Sequence, residues 1–343
     1  MQIRIKKIFL IFFLFITLAV VICGGIAYKK LYSPAFKQTS VGYLYIDERK
    51  DFQDLMSQLK SNNIKDAHFF EQLASAMKYK KHLKSGRYKI NPKIGYLELV
   101  RMLRSGKQIP VNLTFNNIRV KEDFAERISS QLMFDSDDLL ERLNDSVTAN
   151  SYGFTVENFL AMFIPNTYQI YWNISIDNFL RKMKKEYDTF WTEKRMEKAN
   201  DINLSPVEIS ILASIVEEET VRKDEYPVVA GLYLNRLKKG MLLQADPTVK
   251  FAVGDFSLKR ILNIHLSVDS PYNTYKNKGL PPGIIRLPSI PAIESVLNFQ
   301  EHNYLYMCAK EDFSGSHNFA VTLSEHSRNA RRYQEALNRG HIW

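Results

Sequence analysis

One stretch constrains this chain before any other. Ile8 to Ala27 is an apolar run of twenty residues without a charge, flanked by Lys6-Lys7 and Lys29-Lys30. As a helix, a run of that length covers the hydrocarbon core of a bilayer, about 30 Å. A cleaved signal peptide has a shorter apolar core followed by a small-residue cleavage site. Ala19 to Gly25 offers small residues, but the unbroken run favours a retained anchor. Arg4, Lys6, Lys7 and the amino terminus slightly outnumber the positive charges just after the run. That asymmetry predicts a cytoplasmic N-terminal stub and export of the long remainder.

Export narrows what the rest of the charge means. Lysine and arginine exceed aspartate and glutamate by 47 − 37 = +10, so the chain is basic and suits an anionic partner. Outside the cytoplasm that points to acidic glycan or lipid headgroups and away from nucleic acid. Cys23 lies inside the apolar run and Cys308 is far from it, so no internal disulfide is expected. A chain of 343 residues, 45% hydrophobic and 24% charged, has material for two or three globular domains.

Hydrophobic spacing divides the remainder. Residues 1–30 read as the stub and transmembrane anchor, and 31–40 as a linker. In 41–116, strand-like Val41–Ile46 and Ser85–Ile90 bracket helical patterns at Phe52–Leu59 and Asp66–Tyr79. A helix over Gly95–Leu103 and a strand over Val111–Phe115 follow. This is the pattern of a small lysin-motif-like (LysM-like) α/β module. Residues 117–200 read as a helical connecting region, with two short helices in Lys121–Leu143 and one long basic helix over Ile176–Ala199. Between them, Asn158–Trp172 is aromatic-rich and broken by Pro165, so it reads as a sugar-stacking wall or as core. Residues 201–343 form the last domain, helix-rich with a small antiparallel sheet from Tyr304–Cys308 and His317–Thr322, closed by a helix over Ser324–Leu337. The expected class is α+β.

The most informative stretch of that domain is Ser205 to Thr220. Ser205 can cap a helix, Pro206 suits its first position and Glu208 completes a capping box. On a helical wheel at about 100° per residue, Val207, Ile209, Ile211, Leu212, Ile215 and Val216 share one face. Glu217 falls opposite that face, Glu218 at its edge and Glu219 in its middle. A run of three acids is ordinarily a solvated helix end. A carboxyl at the end of a buried stripe is different: desolvation and like charges raise its pKa, which suits a general acid. Tyr226–Gly240 is a second helix. Leu243–Val249 and Ser270–Gly283 read as polar loops, the latter stiffened by prolines, where substrate contacts can sit.

Six segments resemble the bacterial endolytic peptidoglycan transglycosylases, the membrane-anchored cell-wall terminases. They are Leu212-Ala-Ser-Ile-Val-Glu-Glu-Glu-Thr220, Leu234-Asn-Arg-Leu237, Gln244-Ala-Asp-Pro-Thr-Val249, Ser270-Pro-Tyr-Asn-Thr-Tyr275, Gly279-Leu-Pro-Pro-Gly283 and His317-Asn-Phe319. Their order and spacing are the family's, densely from Asn158 to Tyr333 and loosely from Val41 to Asn116. Three positions depart from the family's habit: Glu218 where lysine is common, Ala245 where serine or threonine is common, and Asn166 in place of aspartate.

The resemblance implies a lytic transglycosylase that cuts the β-1,4 bond between N-acetylmuramic acid and N-acetylglucosamine without water. Such an enzyme leaves 1,6-anhydromuramic ends and terminates strand elongation. It implies Glu219 as the catalytic acid and then base. Gln244, Asp246, Thr248, Tyr272, Asn273 and Tyr275 would contact substrate, with Glu217 and His317 supporting them, and with no cofactor and no metal. Two-carboxylate glycosidases need a second carboxylate as nucleophile or to activate water, whereas an attacking hydroxyl on the substrate itself removes the need for a water activator. The partners implied are glycan strands and the inner (cytoplasmic) membrane, with peptidoglycan synthases or division and elongation proteins beside them. Two other readings compete. A zinc amidase would use His317, His326 and a glutamate of the triplet, but no His-x-x-x-His spacing on a helix supports it. An envelope scaffold without activity would have no need of Glu219.

Overall fold

The computed structural model describes residues 2–37, 42–47, 49–258 and 260–340. Its contacts divide the chain into two units: Met1–Asn112 with Gln169–Ile174, and Leu113–Tyr168 with Ser175–Trp343. The regions expected at 117–200 and 201–343 therefore fall, for the most part, in one unit.

The first unit opens with α1 (Gln2–Tyr32). An 18-residue window within Lys7–Tyr32 has a mean hydropathy of 2.9 and none of it is buried in protein. After it come β1 (Gly42–Ile46), α2 (Phe52–Ser61), α3 (Ala67–Ala76), β2 (Gly86–Ile90) and α4 (Tyr96–Ser105). β1 and β2 are antiparallel, with Leu44 opposite Tyr88 and Ile46 opposite Gly86. Leu44, Ile46, Tyr88 and Ile90 alternate inward and meet Leu55, Leu59, Phe70, Leu99 and Leu103 in one core. Asp51 and Asp66 cap α2 and α3, accepting from Gln53 N and Asp54 N, and from Phe69 N.

The expected linker at 31–40 turns out differently wherever it is described. Leu31 and Tyr32 continue α1, Pro34 bridges Gly95 and Phe36 bridges Ile64. Ala35 and Phe36 are buried in the core, since an apolar pair next to a packed module gains by joining it. The remaining linker positions, 38–40, lie outside the described residues.

β3 (Val111–Thr114) and β4 (Thr167–Ile170) pair, and two of the three boundaries between the units fall within them. The second unit continues with α5 (Lys121–Ser129), α6 (Ser136–Asn144), α7 (Ser146–Ser151), α8 (Ile176–Phe190), α9 (Glu193–Asp201), α10 (Pro206–Glu219) and α11 (Tyr226–Lys238). It ends with α12 (Asp246–Val253), α13 (Asn263–Leu266), α14 (Ile290–Leu297), β5 (Tyr306–Ala309), β6 (His317–Ala320) and α15 (Leu323–Arg339). β5 and β6 form the expected antiparallel pair.

Two expectations change here, and one of two open readings is decided. The single helix over Ile176–Ala199 is two, α8 and α9. Trp191 is buried against Tyr187 and Phe190, and the chain turns at Trp191-Thr192. The second half of the loop expected at Leu243–Val249 is the start of α12, because Pro247 stands in a first turn, where its missing N–H costs nothing. The aromatic run at Asn158–Trp172 is mostly core: Phe159, Leu160, Met162, Phe163, Ile164 and Tyr168 are buried.

α10 is the axis of the unit. It packs against α9, α11, α12 and α14. Every residue from Ile209 to Val216 is buried, so the helix has no solvent face over that span. Ser210 and Ser214 are accommodated by bonding back to Pro206 O and Ile211 O, and Ser214 Oγ also accepts from Ile285 N at 3.1 Å. Burying Ile209, Ile211, Leu212, Ile215 and Val216 at about 2 kcal/mol each fixes the C-terminal end of α10 with on the order of 10 kcal/mol.

Candidate active site

The capping box expected at Ser205 and Glu208 forms and fixes the start of α10. Fourteen residues later the helix delivers three glutamates to three different environments. Glu217 accepts from Ser289 N at 2.7 Å, and Glu218 accepts from Arg119 and Arg286, each at 2.7 Å. Neither is a solvated charge. The wheel put Glu217 opposite the apolar face, but α10 is enclosed all round, so that side also meets protein.

Glu219 faces a cavity of about 280 Å³ lined also by Tyr233, Arg236, Gln244, Asp246, Tyr275 and His317. Burial pushes its carboxyl up to about 7; the hydrogen bond from Tyr233 and the charge of Arg236 oppose that rise, while Asp246 and Glu218 add to it. Tyr233 Oη donates to Glu219 Oε1 at 2.5 Å, and burial holds that phenol far above its ordinary range. Tyr275 Oη donates to Asp246 Oδ1 at 2.6 Å. The cavity therefore holds two tyrosine–carboxyl pairs, and one of the carboxyls is poised to carry a proton near neutrality.

The wall around Glu219 is built by α11. Gly231 lets that helix approach closely: a Cβ there would lie 2.4 Å from Gln300 O. Arg236 is buried and donates to Leu305 O at 2.6 Å, Leu242 O at 3.1 Å and Leu243 O at 2.8 Å. Asn235 donates to His302 O and Tyr304 O. The Asn-Arg pair thus ties the segment before α12 and the stem of the β5–β6 hairpin to one helix.

Of the residues expected to touch substrate, Gln244, Asp246 and Tyr275 line the cavity with Glu219. Thr248 and Asn273 have internal partners instead. Thr248 Oγ1 pairs with Thr274 Oγ1 at 2.7 Å and is fully buried. Asn273 is fully buried and donates to Leu266 O and Val268 O while accepting from Tyr275 N. Tyr272 packs on Phe251, and burial raises its phenol to about 12. Small polar residues in a proline-rich loop look like ligand contacts in a sequence, yet a long loop needs such groups to satisfy its own backbone. Gln244 sits at φ 51°, held by its N–H to Thr274 O. His317 lines the cavity, while Glu217 does not.

Sequence reasoning gave Tyr233 and Arg236 no role. They are three apart on α11 and so share a face, which is the one signal that could have paired them with Glu219. Glu225 was also missed; it lies just before α11 and accepts from His317. Among the described residues no group of three or more His, Cys, Asp or Glu is placed to hold a metal ion.

The sequence profile of the YceG-like family matches residues 44–332. An endolytic murein transglycosylase of Bacillus subtilis is 34% identical over 203 residues, 58% of this chain and 55% of that protein. One of Streptococcus pneumoniae is 28% identical over 339 residues, 87% of this chain and 58% of that protein. The chain thus spans a little over half the length of these curated relatives. A yceG-like protein of Listeria monocytogenes, known from its crystal structure, matches with a TM-score of 0.56 and 26% identity, covering 85% of this chain and 99% of that one. With a match that takes in both the first module and the cavity around Glu219, the chain belongs to the YceG-like family.

Proposed function

We propose that this protein is an endolytic murein transglycosylase with Glu219 as its acid and base. The observation that carries the reading is a carboxyl with its pKa raised to about 7, set in a cavity and oriented by Tyr233. The names of the relatives point the same way. Near neutral pH such a group holds a proton for the leaving glycosidic oxygen, becomes a carboxylate, and then takes the proton of the muramic 6-hydroxyl as the anhydro ring closes. Gln244, Asp246 and Tyr275 supply polar contacts to the glycan, and Asp246 hydrogen-bonds to Tyr275 rather than acting as a nucleophile. Strand termination follows from cutting within nascent glycan. Mass spectrometry of digested glycan strands is the test: 1,6-anhydromuramic ends are expected, and reducing ends would refute the mechanism.

α1 is read as a single-pass anchor in the cytoplasmic membrane, with the chain after it outside the cytoplasm. Its length, hydropathy and exposure support this. The strand–helix–helix–strand order of Gly42–Ile90 supports a LysM-like module there. Recovery of the mature chain, freed of α1, in a soluble extracytoplasmic fraction would overturn the anchor.

A further inference from the structure

Thr220 follows the catalytic candidate directly and caps α10. Its hydroxyl accepts from Arg222 N at 3.1 Å and donates to Glu225 Oε2 at 3.1 Å. Glu225, buried at the end of the turn before α11, also accepts from His317 N at 2.8 Å on Oε1. His317 Nδ1 lies 2.7 Å from Glu225 Oε2. A carboxylate that accepts from a backbone N–H and a hydroxyl takes a third donor in the same way, so Nδ1 carries the ring proton. In the neutral form of the ring the lone pair then lies on Nε2. His317 lines the cavity with Glu219 and Glu225 does not; with Nδ1 turned to Glu225, Nε2 points away from that carboxylate. No hydrogen bond of Nε2 occurs among the described residues.

The geometry points to His317 as a substrate-contacting residue whose Nε2 accepts a hydrogen bond from a sugar hydroxyl of the glycan bound beside Glu219. Glu225 and Thr220 act as positioning residues that fix its tautomer and ring orientation. This rests on the transglycosylase reading for the class of ligand and assigns no proton transfer to His317. It also gives the threonine after the glutamate triplet a purpose: the cap of the acid-bearing helix and the orientation of the hydroxyl acceptor share one network.

Two substitutions separate this role from a structural one. Asparagine can place a donor where Nδ1 stood but reaches no further, whereas glutamine can place a polar atom where Nε2 stood. Binding of a soluble tetrasaccharide of alternating N-acetylglucosamine and N-acetylmuramic acid is measured calorimetrically on the full chain in detergent, in a Glu219→Gln background that prevents turnover. The expected result is about tenfold weaker binding for His317→Asn, in line with one lost hydrogen bond, and less than about threefold for His317→Gln. In the wild-type protein, His317→Asn should raise KM by a similar factor with a smaller change in kcat. The reverse order, with asparagine tolerated and glutamine not, would make His317 a tether only and overturn the proposal; so would equal effects. If His317→Asn does not fold, 15N spectra of the parent decide: the proposal requires an unprotonated Nε2 whose resonance moves when the tetrasaccharide is added, and an unmoved resonance rejects it. Reducing ends in the wild-type digest would instead sink the transglycosylase reading while leaving the binding comparison intact.

Discussion

Tyr233 on α11 donates a 2.5 Å hydrogen bond to Oε1 of Glu219 on α10, two side chains fourteen positions apart brought together by the packing of two buried helices. The bond leaves Oε2 as the oxygen free to carry the proton. It also restrains the rise in pKa that burial imposes, keeping the carboxyl at about 7 rather than higher.

Replacing Glu219 by Gln keeps the size and a polar contact to Tyr233 but removes the titrating proton. Loss of a general acid or base typically costs about 10²–10⁴-fold in rate, and one group serving both transfers belongs at the upper end. Release of anhydro ends from glycan strands should fall by that factor; an active variant would remove Glu219 from the mechanism.

Tyr233→Phe tests the orienting bond. Because that bond lowers the Glu219 pKa, its loss should raise it, and the alkaline fall in activity should move from near pH 7 to higher pH. At pH 7 kcat should drop about tenfold as the carboxyl loses its fixed rotamer, equivalent to about 1.4 kcal/mol of barrier. A pH profile of kcat/KM that does not move would show that the phenol does not set the acidity.

Stability should carry the same signature. The carboxyl is protonated in the native state up to about 7 but ionises near its ordinary value of 4.5 when unfolded, so between these values the native state binds more protons. Stability therefore declines as pH rises through that window, by on the order of 3 kcal/mol once the decline is complete above about 7. Glu219→Gln is free of this decline. Its melting temperature should exceed that of the parent at about pH 8, and the advantage should vanish near pH 4. A constant difference across the range would contradict a raised carboxyl pKa.

Glu218 predicts the opposite behaviour. Arg119 and Arg286 hold it, with all three side chains less than a third exposed. Glu218→Gln takes the carboxylate from Arg119 and leaves Arg286 to Asn117 and Glu217, and should cost about 2 kcal/mol in denaturant unfolding, below the value for a fully buried pair. Its kcat should stay within a few fold of the parent. A large loss of kcat at unchanged stability would place Glu218 in the chemistry.

What the sequence by itself determined was local. The uncharged run at Ile8–Ala27, the Ser205–Glu208 capping box and the inward alternation of Leu44 and Ile46 are written in neighbouring residues, and the structure follows them. The wheel also set the three glutamates on different sides of α10, and each meets different surroundings. What only the tertiary structure decided was which polar side chains work inside the protein. Thr248 and Asn273 look no different in sequence from Gln244 and Tyr275, yet two are buried in the loop's own hydrogen bonds and two line the cavity. Tyr233 and Arg236 carry no local mark beyond a shared helix face, and Glu225 none, because their partners Glu219, Leu305 O and His317 lie 14, 69 and 92 positions away. A hydrogen bond between residues so far apart depends on how α10, α11 and the β5–β6 hairpin pack, and no periodicity within one segment encodes that.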